Sequence, residues 1–329
     1  MLLWTAAVLV LLLGSVLWTL YGPNTFDGAP ERTLTISKGQ TFTSVVDSLE
    51  ALGMIRSRTL FEWTSRLYGG TERIQVGRYA FSSGVSNADI FLRIRSGEDN
   101  QLITVVIREG LTSRAQARIY ARNLGIDSAR YMLLVHDPGF IGSFGIRAPS
   151  LEGYLLPQTY RFTWQQNEED VISAMVKEFQ EFFADSLEER SRAMRWTTNQ
   201  VVTLASIVEG EAVLPEEREV IAGVYHNRLR KRMRLEADPT IQFVIPDGPR
   251  RLRYSDLRIR SPYNTYLNYG LPPGPVNNPG RESILAALYP AHHDYLFFVA
   301  NGKGGHWFSS SYAQHKRFVR QYRRERQRG

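Results

Sequence analysis

At 329 residues the chain is longer than one compact core usually holds and suits two or three modules. Its 43% hydrophobic and 22% charged residues exclude wholesale disorder, and the absence of cysteine excludes disulfide scaffolds, thiolate metal sites and a cysteine nucleophile. A net charge of +7 favours anionic partners: nucleic acid, acidic lipid headgroups or a carboxylate-bearing polymer.

Residues 1–21, MLLWTAAVLVLLLGSVLWTLY, carry no charged side chain. At ~1.5 Å rise per helical residue such a run crosses a ~30 Å hydrocarbon layer. It is longer than the apolar core of a cleaved signal peptide and leads into Tyr21-Gly22-Pro23, so residues 1–22 read as an uncleaved transmembrane anchor. Trp4, Trp18 and Tyr21 fit an interfacial aromatic belt. No Lys or Arg precedes Arg32, so charge bias gives no orientation. No later window is comparably apolar, which leaves a soluble body on one side.

A polar tether, residues 23–32, leads to a strand at Thr33–Ile36, a turn at Lys38-Gly39 and a helix from about Ser44 to Leu52, stopped by Gly53. Phe61–Tyr68 reads as a helix, Val76–Phe81 as a strand and Asn87–Ser96 as a helix, giving a small α+β module over residues 33–100. The opening pattern then returns: strand Ile103–Ile107, turn Glu109-Gly110, cap at Thr112 or Ser113, and a helix through Leu124 to Gly125. A further helix follows Asp127, and Leu151–Phe162 gathers aromatics, a carboxylate and turn residues. Long helices are expected at about Glu168–Leu187, Asn199–Ala212 and Pro215–Arg232. Ser261–Gly280 holds five of the 15 prolines and reads as a stiffened loop. Its Tyr263, Tyr266, Tyr269, Asn264, Asn268, Asn277 and Asn278 form the amide-and-aromatic composition that a carbohydrate groove uses. Leu296–Ala300 reads as a buried strand, and a helix from Ser311 closes the chain in the basic run Arg317–Arg328, a solvated end or a phosphate or membrane contact.

Chemistry is concentrated in Ala205-Ser206-Ile207-Val208-Glu209-Gly210-Glu211. Helical positions two apart diverge by about 200°, so Glu209 and Glu211 cannot face one cleft. Glu209 shares a face with Val202, Ala205 and Ser206; a carboxyl emerging from apolar surroundings is a candidate general acid. The spacing alone equally allows a capping or salt-bridged glutamate, with Arg218 and Arg228 nearby in sequence. The six histidines lack metal-ligand spacing, and GxGxxG, GxxxxGK[ST] and GxSxG are all missing, so no metal, nucleotide or α/β-hydrolase chemistry is expected.

Six segments in this order resemble the endolytic murein transglycosylase family, also called YceG-like. They are Leu151-Glu152-Gly153-Tyr154-Leu155-Leu156-Pro157-Gln158-Thr159-Tyr160; the Ala205–Glu211 segment; Val224-Tyr225-His226-Asn227-Arg228-Leu229; Ala237-Asp238-Pro239-Thr240-Ile241-Gln242; Ser261-Pro262-Tyr263-Asn264-Thr265-Tyr266; and Gly270–Pro275 continuing to Asn278-Pro279-Gly280. The resemblance implies an α+β protein with an N-terminal transmembrane helix, a LysM-like α+β subdomain (33–100) and a larger mixed α/β catalytic domain (101–329) that cuts peptidoglycan glycan strands. It implies Glu209 as the single acid/base, 1,6-anhydro products and no cofactor or metal. Glu152, Tyr154, Asp238, Gln242, Tyr263 and Asn264 are the candidates for contacting sugar or fixing Glu209. Also implied are a body on the extracytoplasmic side of the inner membrane and association with cell-wall synthases (penicillin-binding proteins). Nucleic acid would explain the charge but not the anchor. Gln158, Glu236-Ala237 and Gly210 depart from the family pattern. Two other readings are a membrane-tethered glycan-binding scaffold, and a hydrolytic muramidase with Glu211, Glu152 or Asp238 as second carboxylate.

Overall fold

The computed structural model describes residues 2–70, 74–246 and 248–328. The chain divides into two compact units, one built from Met1–Val105, Asn123–Ile126 and Arg161–Gln166, the other from the remainder. Among the described residues the strands form three two-stranded sheets and helices supply the rest, so the protein is mixed α and β.

In the first unit, α1 (Leu2–Tyr21) is long and apolar enough to cross a membrane, and its apolar side chains are exposed. Residues after it are packed: Asn24 is buried, its Nδ2 donating to Val85 O and Asn87 Oδ1 (both 3.0 Å) while Oδ1 accepts from Arg56 N. Strand β1 (Glu31–Ile36) pairs antiparallel with β2 (Gly77–Ser82), Leu34 opposite Tyr79. Alternation along both strands turns Leu34, Ile36, Tyr79 and Phe81 onto one buried face. Helices α2 (Phe42–Ala51), α3 (Arg58–Leu67) and α4 (Asn87–Ser96) cover that face with Val45, Val46, Leu49, Phe61 and Phe91. Thr41 and Ser86 cap α2 and α4 by accepting from the backbone N–H three residues on, which sets both starts.

Strand β3 (Ile103–Val106) pairs with β4 (Thr159–Phe162), and the division between the units falls within both strands. The second unit contains α5 (Ser113–Leu124) for most of its length, then α6 (Ser128–His136) and α7 (Pro138–Ser143). The expected helix over 168–187 is two: α8 (Glu168–Phe183) and α9 (Ser186–Ala193), broken where Asp185 takes φ +53°. The helix over 215–232 opens as a 3₁₀ turn, Pro215–Glu217, before α11 (Arg218–Arg230).

Between these lies α10 (Thr198–Glu211), started by a capping box of Thr197 and Gln200. Every residue from Val201 to Val208 is buried, because α11, α12 (Asp238–Val244) and α13 (Arg281–Leu288) pack around it. A helix enclosed on all sides is apolar all round, so its carboxylates come only in the last turn. Strand β5 (Phe297–Ala300), expected to be buried, is half-buried throughout: among the described residues it pairs only with β6 (His306–Ser309), and α14 (Tyr312–Arg328) covers the ribbon through Trp307 stacked on Phe318.

Candidate active site

The last turn of α10 brings Glu209 to the N-terminus of α13. Its Oε2 accepts from Ser283 Oγ (2.7 Å) and from Gly280 N (3.0 Å), the N-cap residue of α13. A carboxylate at a helix start meets unpaired N–H groups and the positive end of the helix dipole. Oε1 lies 3.7 Å from Arg218 Nη2, at the start of α11, and makes no hydrogen bond among the described residues. Only 8% of the Glu209 side chain is exposed. The expected apolar setting is thus half of what is found: Val202, Ala205 and Ser206 are buried behind it, but the carboxylate itself faces donors. Arg228, the other candidate partner, turns instead to Glu236 and to Leu235 O.

Arg218 is shared. Its Nε donates to Ser283 Oγ (3.2 Å), and its Nη2 is 3.6 Å from Glu109 Oε2, in the turn after β3. Burial and then repulsion from Glu209 push the Glu109 carboxyl above its ordinary range, partly offset by Arg218. A Cβ on Gly280 would lie 2.0 Å from Glu109 Oε1, so a larger residue here would require the Glu109 carboxylate to move away.

Glu211 points the other way, as helix geometry requires. Its Oε1 accepts from Tyr225 OH (3.1 Å) and Asp238 N (3.2 Å), and burial, then the Asp238 charge, push its carboxyl up to about 7. The Asp238 carboxylate accepts from Tyr266 OH at 2.5 Å and is exposed. Between the two glutamates, a Cβ on Gly210 would sit 2.5 Å from the Pro239 ring, so this departure from the family pattern is a packing requirement of α12.

Glu152 is a buried strut. Both oxygens accept from Ser113 N (2.9 and 3.2 Å) at the start of α5, Oε1 also accepts from Asn278 Nδ2 (3.0 Å), and burial raises its carboxyl to about 7. Asn278, wholly buried, also donates to Leu111 O and accepts from Gly153 N and Leu155 N. Next to it Asn277 Nδ2 donates to Ser206 O, and Val276 N donates to Ser206 Oγ. Residues 276–280 therefore form a strap bolted to α10 and α5, and it delivers Gly280 N to Glu209.

The remaining candidates separate. Tyr263 packs on Phe243 (4.9 Å between rings), and burial, then the Glu152 charge, raise its hydroxyl. Gln242 spends both ends of its amide on the backbone of Arg250. Asn264 is buried, donating to Leu257 O and Ile259 O and accepting from Tyr266 N. Tyr154, also buried, sets its ring edge on Phe179 and reaches Asn199 Oδ1 (3.4 Å). It lines a cavity of about 620 Å³ with Phe144, Arg147, Phe183 and Trp196, and Glu209 is not part of that lining. The amide-rich loop is therefore corrected: Asn264, Asn277 and Asn278 turn inward, because a segment without regular structure must satisfy its buried backbone groups from side chains. Glu109, Ser283 and the bridging role of Arg218 escaped sequence reasoning. The only signal for Glu109 was its place in a strand–turn–helix unit, and Ser283 sits in a helix that had not been expected.

The profile of the YceG-like family matches residues 34–321. A Bacillus subtilis (strain 168) protein named endolytic murein transglycosylase is 30% identical over 304 residues, covering 88% of this chain and 84% of the relative. One of the same name from Streptococcus pneumoniae serotype 2 (strain D39) is 26% identical over 325 residues; the match covers 88% of this chain and 58% of that relative's length. The crystal structure of a YceG-like protein from Listeria monocytogenes superposes with TM-score 0.63 at 31% identity, covering 88% of this chain and 98% of the other. With that profile spanning nearly the whole body and the Glu209 motif within it, the chain belongs to the YceG-like family.

Proposed function

We propose that this chain is a membrane-anchored, endolytic peptidoglycan lytic transglycosylase in which Glu209 is the single acid/base. The observation that carries the reading is the asymmetry of its carboxylate: two donors fix Oε2, while Oε1 has no hydrogen bond among the described residues and is the oxygen left to exchange a proton with substrate. The names of the relatives from B. subtilis and S. pneumoniae supply the substrate class, murein.

In this mechanism Glu209, protonated, gives its proton to the glycosidic oxygen as the bond from C1 of N-acetylmuramic acid to that oxygen breaks. As a carboxylate it then takes the proton of the same sugar's C6 hydroxyl while that oxygen bonds to C1. The products are a new N-acetylglucosamine hydroxyl end and a 1,6-anhydro end; no water is consumed and the enzyme recovers its proton. An internal nucleophile has a high effective concentration, so no second carboxylate is needed to activate water. Arg218 stabilises the carboxylate state between the two transfers.

Under the same reading α1 is a single span of the inner membrane, residues 33–100 are a LysM-like subdomain that holds glycan, residues 101–329 are the catalytic domain, and the body lies outside the cytoplasm. The net charge of +7 suits a polymer bearing lactyl and peptide carboxylates, and cell-wall synthases are the partners that make its substrate. Glu209→Gln in the full chain should abolish release of fragments from purified peptidoglycan while leaving the thermal unfolding curve within a few degrees of wild type; a folded variant that still cuts rejects the assignment.

A hydrolytic muramidase is the second reading, favoured by one observation: Glu109 and Glu209 share Arg218, which puts a second carboxylate beside the first. Glu211 faces away, Asp238 sits with it against Tyr266, and Glu152 is buried, so Glu109 is the partner such an enzyme would use. Glu109→Gln then discriminates, because a hydrolase loses turnover and a transglycosylase keeps it.

A further inference from the structure

Helix α3 carries two apolar faces. Phe61, with Thr64 and Ser65 beside it, is buried in the first unit. Leu60, Trp63 and Leu67 recur at i, i+3 and i+7 and so form one stripe along the helix, and they remain 41%, 59% and 59% exposed. Exposed Thr59 and Arg66, at i−4 and i+3 from Trp63, border the stripe, and half-buried Glu62 lies beyond them. A tryptophan between two leucines on an open helix face is the composition of a helix that lies in a membrane interface.

The placement of α1 says what covers the stripe. Tyr21 OH and Tyr68 OH are hydrogen-bonded at 2.7 Å, joining the last residue of α1 to the residue that follows Leu67. The Arg56 guanidinium lies over the Trp18 ring at 5.6 Å, and Asn87 Nδ2 donates to Thr19 O at 3.0 Å. Asn24 then locks the chain to Val85, Asn87 and Arg56. The end of α1 is thus fixed on α3 and α4, without a free tether between them. Trp18 and Tyr21 mark the level at which an apolar span meets headgroups, and α3 starts and ends against that level. Arg56 and Arg66, both exposed, flank the stripe, whereas Glu62 is already paired with Arg58.

With α1 read as a membrane span, we infer that Leu60, Trp63 and Leu67 are a docking surface seated in the headgroup layer of the bilayer that α1 crosses, with Arg56 and Arg66 on anionic phospholipid. The first unit then rests on the membrane in a defined orientation.

Because the chain has no cysteine, single nitroxide labels can be introduced in the full chain without background. Leu60→Cys, Leu67→Cys, Lys38→Cys in the exposed turn after β1 and Leu11→Cys would each be labelled, reconstituted into phosphatidylcholine–phosphatidylglycerol vesicles and read by collision with oxygen and with a water-soluble nickel chelate. The expected result is a ratio of oxygen to nickel accessibility several-fold higher at 60 and 67 than at 38, below that at 11 in the middle of α1. Equal, water-like values at 38, 60 and 67 with a bilayer value at 11 would overturn the docking surface and leave the span intact. Values at 60 and 67 shielded from both reagents would mean protein covers the stripe, and would overturn it too. A water-like value at 11 would remove the span and the docking surface together.

Discussion

Ser283 is the pivot of the charged cluster, donating to Glu209 Oε2 at 2.7 Å while accepting from Arg218 Nε at 3.2 Å. A hydrogen bond to a charged group is worth about 1.5–3 kcal/mol. If that interaction holds Glu209 in line for proton transfer, Ser283→Ala should lower kcat by roughly ten- to a hundredfold with little change in KM; initial rates of fragment release would show it, and an unchanged kcat would make Ser283 a packing residue only. Glu152 makes a pH prediction. Burial raises its carboxyl from 4.5 to about 7 in the folded chain, so between those values the folded state keeps a proton that the unfolded state has released. Its stabilising contribution is complete below that window and is lost as pH rises through 7, by up to ~3 kcal/mol. The Tm of wild type should therefore fall more steeply than that of Glu152→Gln between about pH 5 and about pH 8, with Glu211 contributing equally to both; parallel curves would contradict the buried-strut role. At this scale the divergence of Glu209 and Glu211 was legible, because helix phase alone dictates it. Glu109 was not, since its meeting with residues 209, 218 and 280 is a long-range contact with no local trace.

The strap over residues 276–280 organises the site at the next scale. Asn278 alone ties Leu111, Gly153, Leu155 and Glu152 together, the last three in buried surroundings. Asn278→Ala would leave several of these groups unpaired, each costing ~1–3 kcal/mol. A Tm drop of many degrees is expected, with activity lost in proportion to the folded fraction; a loss of under about 1 kcal/mol by denaturant titration would refute the strap. By contrast Thr197→Ala, which removes one half of the α10 capping box, should cost only ~1 kcal/mol. Elements with such local signals were readable from the chain: α4 matched its expected bounds between the Ser86 cap and Gly97, and α10 began within a residue of expectation. The strap was misread because its amides look like ligand groups in sequence, and only tertiary contact shows that buried backbone has claimed them. The short helices α12 and α13 were missed for a related reason: Asp-Pro and Pro-Gly starts read as loop, and packing against α10 overrides that local bias.

Across the whole molecule, the first unit draws its buried cluster from residues between Phe26 and Ile94. A fragment covering residues 23–105 should accordingly unfold cooperatively by itself, as dispersed amide resonances and a single thermal transition would report; a collapsed, non-cooperative fragment would mean that residues 123–126 and 161–166, which belong to the same unit, are required for folding. The central claim concerns the second unit: one carboxylate cuts glycan without water. It is tested most directly by digesting purified peptidoglycan with the full chain in ¹⁸O-labelled water and weighing the released fragments. The account predicts anhydro ends lighter than reducing ends by one water and free of ¹⁸O. Reducing ends carrying one ¹⁸O atom would contradict it and make the enzyme a hydrolase.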